Sequence, residues 1–522
     1  MGTSLAWITD AVTGQAPVVA AGCPALAFDD QPPLSYAALR EAELAAARAL
    51  ARAGVTRGDR VGLLLRNSID YVVLYLALAR LGAISVRLNF RLTAPEVAFI
   101  LGDSGAKVLI FDTDFVGSVA PVLDELAVVT YVAREESGPG PDWAVPLDEF
   151  LAAGAGHEVT FPVLGADDAV TLLYTSGTTG SPKGAIWTHG NTLWFAAMQS
   201  MKWGIDGGAV AFTPGPLFHA GSLEVLILPA LVNHGVGVTF SSGGVTLERL
   251  LDVARAQSAT VLLLYSFMVY DFLRLPDLET RVPATLRRII CGGDTLMPWV
   301  YDVLAERLPQ IELVQVYGLT EGGAISTCLD HGFAQARAGS VGRPLPLSEV
   351  KILDEQGRPV ATGAVGEIHV RSPSVSPGYW QRPEANAETF VDGWCRTGDL
   401  GSVDADGFLT LGGRAKDMIR SGGENVYPAE IEAVLTKAPG VADAAVFAVP
   451  DAKYNEVGCA VLIAIEGATL DLDAVRAYCG ERLARFKIPK YFVVGDTLPR
   501  TASGKVKKFE LRAAYAAIGD TA

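Results

Sequence analysis

Eleven consecutive residues concentrate groups that bind anions: Tyr174-Thr175-Ser176-Gly177-Thr178-Thr179-Gly180-Ser181-Pro182-Lys183-Gly184. Glycines let a backbone turn its N–H groups toward a negative charge, and the Ser and Thr hydroxyls add neutral donors. Lys183 adds a compact positive charge. The run Ala169 to Leu173 before it is short, apolar and rich in β-branched residues, which predicts a buried strand ending in this loop. A polyphosphate is the ligand such a loop fits. The spacing is not that of the Walker loop, which has four residues between its glycines and a Ser or Thr after its lysine. Here Gly177 and Gly180 are three apart, and Gly184 follows Lys183.

Other chemistry-bearing groups fall where strands should end. Val316-Tyr317-Gly318-Leu319-Thr320-Glu321 places an aromatic ring, a glycine, a hydroxyl and a carboxylate within a few residues. Tyr317 could stack on a base, and Glu321 could hold Mg2+, which shares its oxygen ligands between carboxylate and phosphate. Asp399 follows a Thr-Gly turn in Cys395-Arg396-Thr397-Gly398-Asp399, where its carboxylate could accept two vicinal ribose hydroxyls. His219 stands alone in the Pro/Gly loop Pro214-Gly215-Pro216-Leu217-Phe218-His219-Ala220-Gly221. A lone histidine there is more often structural than catalytic. Lys505 follows Ser503-Gly504 and is placed to be exposed. It lies in a segment, 480–512, with nine Lys or Arg against three acids, a local balance of +6. That surplus reads either as a solvated face or as an edge turned toward phosphates.

The elements that must position these groups can be read from apolar periodicity. Helices are expected over 35–54, 70–81, 95–102 and 188–201, and strands over 61–65, 84–86, 108–111, 260–264, 288–291 and 311–316. Strand and helix in alternation imply doubly wound parallel sheets, whose ligands bind at the carboxyl ends of the strands. Residues 134–167, rich in Gly, Pro and acids, read as a connecting loop. From Val350 short strands and tight turns predict a β-rich subdomain. A smaller unit follows, with helices over 429–438 and 472–484 and strands over 444–449 and 460–464. The expected fold is therefore α/β: a large N-terminal domain, 1–415, and a smaller mobile α+β C-terminal domain, 416–522.

Composition narrows the function classes. With 522 residues the chain is too long for one ordinary core. Half the residues are hydrophobic and 19% are charged, a soluble globular balance. The net charge of −16 argues against nonspecific binding of nucleic acid or of anionic membrane. Six scattered cysteines form no CxxC pair, so neither a zinc site nor a disulfide framework is expected, and a cytoplasmic enzyme with reduced thiols fits. No signal peptide and no membrane span are expected; the nearest apolar run, Val225 to Phe240, holds Pro229, Asn233 and His234.

Taken together, the loop at 174–184, the Pro-Leu-Phe-His run at 216–219, Tyr317 to Glu321, Gly393-Trp394-Cys395-Arg396-Thr397-Gly398-Asp399, Gly413-Arg414-Ala415-Lys416 and Pro499 to Lys505 resemble the adenylate-forming enzymes. That superfamily holds acyl-CoA synthetases, luciferases and peptide-synthetase adenylation domains. The resemblance covers nearly the whole chain from about residue 35. It implies a nucleotide site made by Thr175, Ser176, Gly177, Thr178, Thr179, Gly180 and Lys183, by Gly292, Gly293 and Asp294 beside adenine, and by Gln315, Val316, Tyr317, Gly318, Leu319 and Thr320. Asp294 stands where the family has Ala. The resemblance further implies Asp399 on the ribose, Arg414 on the nucleotide, a hinge at Lys416, and a loop at Ser421, Gly422 and Gly423 past which the pantetheine arm of CoA runs. Lys505 matches the catalytic lysine, with Thr175, Glu321 and His219 also in catalytic positions and Glu321 on the metal.

The implied reaction joins a carboxylic acid to ATP as an acyl-adenylate, then transfers the acyl group to CoA. ATP, Mg2+ and CoA are the implied cofactors and substrates, and a homodimer is compatible with such an enzyme. Candidates for the acyl pocket are Trp194, Met198, His219, Tyr265, Phe267, Val316 and Gly318. No acid lies between Pro214 and Leu223 to hold an ammonium group, which disfavours an α-amino acid. A fatty acid is the expected substrate. The alternatives are an aromatic acid, transfer to a carrier protein in place of CoA, and a noncatalytic nucleotide or acyl sensor.

Overall fold

Buried apolar runs make parallel strands, and the longest apolar helix fills the space between two sheets. A computed structural model of the chain describes residues 7–14, 22–175, 182–242, 246–293, 295–414, 417–421, 424–451, 454–483, 485–500, 505–516 and 518. Helix Ile69–Leu81 is buried at every residue from Tyr71 onward, as a helix apolar on all faces must be. Ser68 caps its N-terminus, and Gly82 ends it at φ +67°, where a side chain would strike Leu164. Its core cluster joins residues of two sheets into one interior.

The first sheet has seven strands in the order Val145–Pro146, Thr130–Arg134, Val108–Asp112, Arg60–Leu64, Ile84–Arg87, Ala169–Thr175 and Lys183–Thr188. All neighbours are parallel except the last pair. The second has nine, with a parallel run Glu312–Tyr317, Arg288–Gly292, Val261–Tyr265, Val210–Thr213, Val236–Thr239 and Pro24–Phe28. A third, antiparallel sheet is built from Glu349–Leu353, Gly366–Arg371, Phe390–Val391, Trp394–Val403 and Leu409–Arg414. The fourth, from Ile419 onward, pairs Val441–Asp451 with Asn455–Ala464 and adds Tyr491–Gly495 in parallel. The expected α/β class with a β-rich part and a separate C-terminal sheet is what the chain forms.

One local expectation changes. The segment 134–167 is not all loop: Val145–Pro146 joins the first sheet and Leu147–Ala153 is helical, with Leu147 and Phe150 buried. The residues between the phosphate loop and the helix expected from 188, to which the sequence assigns no element, form a strand. The chain returns as strand Lys183–Thr188, antiparallel to Ala169–Thr175, and only then does helix His189–Trp203 begin. The basic surplus at 480–512 is largely answered by acids. Among the described residues seven of its cations pair with acids, five of them with acids outside the segment: Lys487 with Glu430, Lys490 with Asp451, Arg500 with Asp443, Lys508 with Glu432 and Arg512 with Asp417. Arg482 pairs with Glu481 and Lys507 with Glu510.

His189 opens its helix fully buried, and neither ring nitrogen has a hydrogen-bond partner among the described residues. Burial pushes its pKa down to about 4. The unfolded chain therefore binds a proton near pH 6.5 that the folded chain refuses until about pH 4. Folded stability is complete above pH 6.5 and falls as pH drops through that window, by about 3 kcal/mol for this group alone. Urea midpoints at pH 7 and pH 4.5 should differ less in His189→Phe than in the parent chain.

Candidate active site

The hairpin Ala169–Thr175/Lys183–Thr188 sets Thr175 directly across from Lys183. Ser176, Gly177, Thr178, Thr179 and Gly180 at its tip lie outside the described residues, as do Asp294, Lys416, Gly422 and Gly423. Strand Glu312–Tyr317 ends beside this hairpin. The turn after it brings Glu321 to Thr175, whose hydroxyl donates to Glu321 Oε1 at 2.8 Å. Tyr379 donates its hydroxyl to the same oxygen at 3.0 Å. Among the described residues Oε2 has no hydrogen-bond partner. Lys183 Nζ lies 5.3 Å from the centre of the Tyr379 ring. So two hydroxyls, a cation and a carboxylate meet at the mouth of the phosphate loop. No group of three or more His, Cys, Asp or Glu side chains is arranged for a metal among the described residues.

Asp399 is buried, and its Oδ2 accepts from the Tyr317 hydroxyl at 2.8 Å. The Asp399 N–H donates to Thr397 Oγ1, which fixes the turn that the Thr-Gly pair suggested. Arg414 stands opposite Asp399 in the third sheet. Gly318 lies so close to the next turn that a Cβ would sit 2.3 Å from the Ala324 carbonyl oxygen. Gly293 adopts φ +109°, and a side chain on Gly292 would press on Val316. Alternation along Glu312–Tyr317 sends Val316 into the core between the two large sheets, while Gln315 turns the other way. Gln315 Oε1 accepts from Tyr301 at 2.7 Å in the interior. Trp187 Nε1 donates to the Thr320 carbonyl, and Leu319 packs beside Tyr317 and Ile368.

His219 is held by residues that the sequence did not advertise. Asn67 donates to the Gly215 carbonyl at 2.8 Å and accepts from the Leu217 N–H at 2.7 Å. Arg87 donates to the Leu217 carbonyl at 3.1 Å. The His219 Nδ1 accepts from the Gly221 N–H at 3.0 Å, so the neutral ring carries its proton on Nε2 and presents a donor. The ring reaches solvent yet is crowded by protein. This desolvation, with the positive charges of Lys505 and Arg87, holds its pKa below the ordinary value and keeps it neutral at pH 7. Lys505, exposed on the C-terminal unit, is thereby placed within electrostatic reach of His219.

Gly215 leaves room for the groups around His219: a Cβ there would fall 2.2 Å from Ser222 Oγ and 2.8 Å from the Tyr265 hydroxyl. The Tyr265 and Phe267 rings lie parallel, 6.1 Å apart, with Phe267 exposed. Met198 is fully buried in the main core, whereas Trp194 is half exposed on the outer face of helix His189–Trp203. Ser421 pairs with Glu424 and Asn455 in the fourth sheet. Beneath the His219 loop, Arg87 and Glu224 form an ion pair at 2.9 Å with both side chains wholly buried. Glu224 belongs to a π-helical turn, Leu223–Ile227. A charged residue inside an apolar strand, Ile84–Arg87, was the one available signal for this pair.

The chain matches the model of the AMP-binding enzyme over residues 15–380 and that of the AMP-binding enzyme C-terminal domain over 430–505. It is 37% identical to a feruloyl-CoA synthase of Amycolatopsis sp, over 92% of this chain and 93% of that one. It is 35% identical to the long-chain-fatty-acid–CoA ligase FadD13 of Mycobacterium tuberculosis, over 93% of each. Its structure superimposes on ATP-bound MatB from Rhodopseudomonas palustris with a TM-score of 0.87 and 30% identity, covering 98% of this chain and 99% of that one. The chain belongs to the AMP-binding family of adenylate-forming enzymes.

Proposed function

We propose that the chain is an AMP-forming carboxylate–CoA ligase. The observation that carries this reading is the meeting of Thr175, Lys183 and Glu321 at the phosphate loop. In the first step the carboxylate attacks the α-phosphate of ATP, and pyrophosphate leaves. In the second the CoA thiolate attacks the acyl carbon, and AMP leaves. Neither step needs a protein nucleophile. Lys183 and the loop would bind the phosphates, Asp399 the ribose, and neutral His219 would donate from Nε2 on the acyl side. The oxygen-rich donor set fits Mg2+: Glu321 would hold it through Oε2, where it would neutralise phosphate charge. Between steps the unit from about residue 416 would turn about Lys416, bringing the Gly422–Gly423 loop to the pantetheine arm.

The acid we propose is a fatty acid; no acidic side chain lies between Pro214 and Leu223 to hold an ammonium group, which speaks against an α-amino acid. The parallel Tyr265 and Phe267 rings and the hydroxyls beside them favour an aromatic acid as the second reading. We place the enzyme in the cytoplasm, consistent with six free cysteines. Pyrophosphate release across a panel of fatty and aromatic acids, with CoA present and no carrier protein, tests both choices. Turnover only after a carrier protein is added would overturn the CoA assignment, and nucleotide binding without turnover of any acid would overturn the enzyme.

Asp399→Ala should raise the KM for ATP. A hydrogen bond to a charged acceptor is worth roughly 1.5–3 kcal/mol, and two to the ribose would be lost. Steady-state kinetics with ATP varied measures this, and an unchanged KM would remove Asp399 from the ribose.

A further inference from the structure

A short strap, Ser376 to Trp380, runs along the free side of strand Lys183–Thr188. The Ile186 N–H donates to the Gly378 carbonyl at 2.9 Å, and the Trp380 N–H donates to the Gly184 carbonyl at 2.8 Å. Tyr379 pairs with Ala185 between them. In an antiparallel pair the backbone groups of Tyr379 itself point away from that strand, and Asn386 takes both: its Oδ1 accepts from the Tyr379 N–H at 2.6 Å, and its Nδ2 donates to the Tyr379 carbonyl at 3.0 Å. Gly378, at φ +151°, has no room for a side chain, because a Cβ would lie 2.9 Å from the Asn386 amide. The Ser376 N–H also donates to the Glu321 carbonyl at 3.0 Å. The strap therefore fixes Tyr379 from three directions, and Tyr379 in turn touches two groups of the phosphate site.

We infer that Tyr379 is a positioning residue for the nucleotide site, setting Glu321 through its hydroxyl and Lys183 through its ring. With Thr175 and Tyr379 both donating to Oε1, the carboxylate cannot rotate without breaking two hydrogen bonds, and Oε2 is held outward. The ring face below Lys183 gives its ammonium a resting place that costs little to leave. Tyr379 touches neither acid nor nucleotide in this role, and its hydroxyl stays protonated: burial and the Glu321 charge raise its pKa. The inference rests on the reading that Glu321 faces a metal–polyphosphate.

Tyr379→Phe keeps the ring under Lys183 and removes only the hydroxyl, whereas Tyr379→Leu removes both. Two readouts apply: the Mg2+ concentration that half-saturates pyrophosphate release, and Mn2+ binding with α,β-methylene-ATP followed by electron paramagnetic resonance. Tyr379→Phe is expected to raise the first and weaken the second by about tenfold, the size of one hydrogen bond to a carboxylate, with the KM of the acid unchanged. Tyr379→Leu should lose affinity for the nucleotide itself as well. Asn386→Ala should shift metal binding in the same direction by freeing the strap. Metal binding unaltered in Tyr379→Phe, or an acid KM that rises in step with it, overturns the inference. If the parent chain turns over no acid, the ligase reading fails, and the Mn2+ titration still decides the role of Tyr379.

Discussion

Lys505→Ala is expected to slow acyl-adenylate formation by about 10²–10³-fold, the usual contribution of one preorganised cation at a developing negative charge. Charge builds on the α-phosphate oxygens as the carboxylate adds, and Lys505 is an exposed lysine whose charge acts on His219. Thioester formation should be spared, because the C-terminal unit would turn and carry Lys505 away before the thiolate attacks. The comparison supplies the variant with acid and ATP, and separately with synthetic acyl-adenylate and CoA. A large loss in the first assay beside a near-normal second is the expected pair; equal losses would place Lys505 outside the first step. A spectroscopic companion needs no turnover. Lys505 is one of the charges that depress the His219 pKa, so the His219 proton signals should titrate at higher pH in Lys505→Ala than in the parent chain.

Arg87→Met should destabilise the fold by about 3–5 kcal/mol, because it leaves the wholly buried Glu224 carboxylate without its cation. The same change frees the Leu217 carbonyl under the His219 loop. Removing both charges, in Arg87→Met with Glu224→Leu, should return most of that stability, since buried pairs exchanged for apolar groups of similar size are often neutral. Urea midpoints of the single and double variants measure the difference. The single variant has a pH signature. Burial already raises the Glu224 pKa, and losing Arg87 leaves only a backbone hydrogen bond to lower it. Its folded state would then hold a proton that the unfolded state gives up near pH 4.5, so the deficit should be smallest below that pH and grow as pH rises. A double variant no more stable than the single one would show that the loss comes from packing.

Much of the fold was legible because its strands are buried on both faces. Runs such as 108–111 and Val261–Tyr265 are apolar throughout and bounded by turn residues, and they lie where the pattern put them. The hairpin was not legible. Lys183–Thr188 holds a lysine, a glycine and a threonine around Ala-Ile-Trp, and its strand character comes from pairing with Ala169–Thr175 and with the strap. Groups that act within a few residues of one another, such as Thr397 with Asp399, left a local trace in the spelling. Groups that meet across the chain did not. Tyr379 is 58 residues from Glu321, Asn67 is 150 from Leu217, and Arg87 is 137 from Glu224. The partners of the cations at 480–512 were hidden for the same reason, since most of the acids that answer them lie elsewhere in the chain.

The strap has a consequence for life in a crowded solution. Strand Lys183–Thr188 is the last in its sheet, and such a strand offers a row of unmade hydrogen bonds to any extended chain that drifts past. Ser376 to Trp380 fills part of that row from within the same molecule. The segment that steadies the nucleotide site is thus also a guard against sticking to other copies. Damage at Gly378 or Asn386 would expose a template for aggregation, and the protein would be lost from solution even where its chemistry survived.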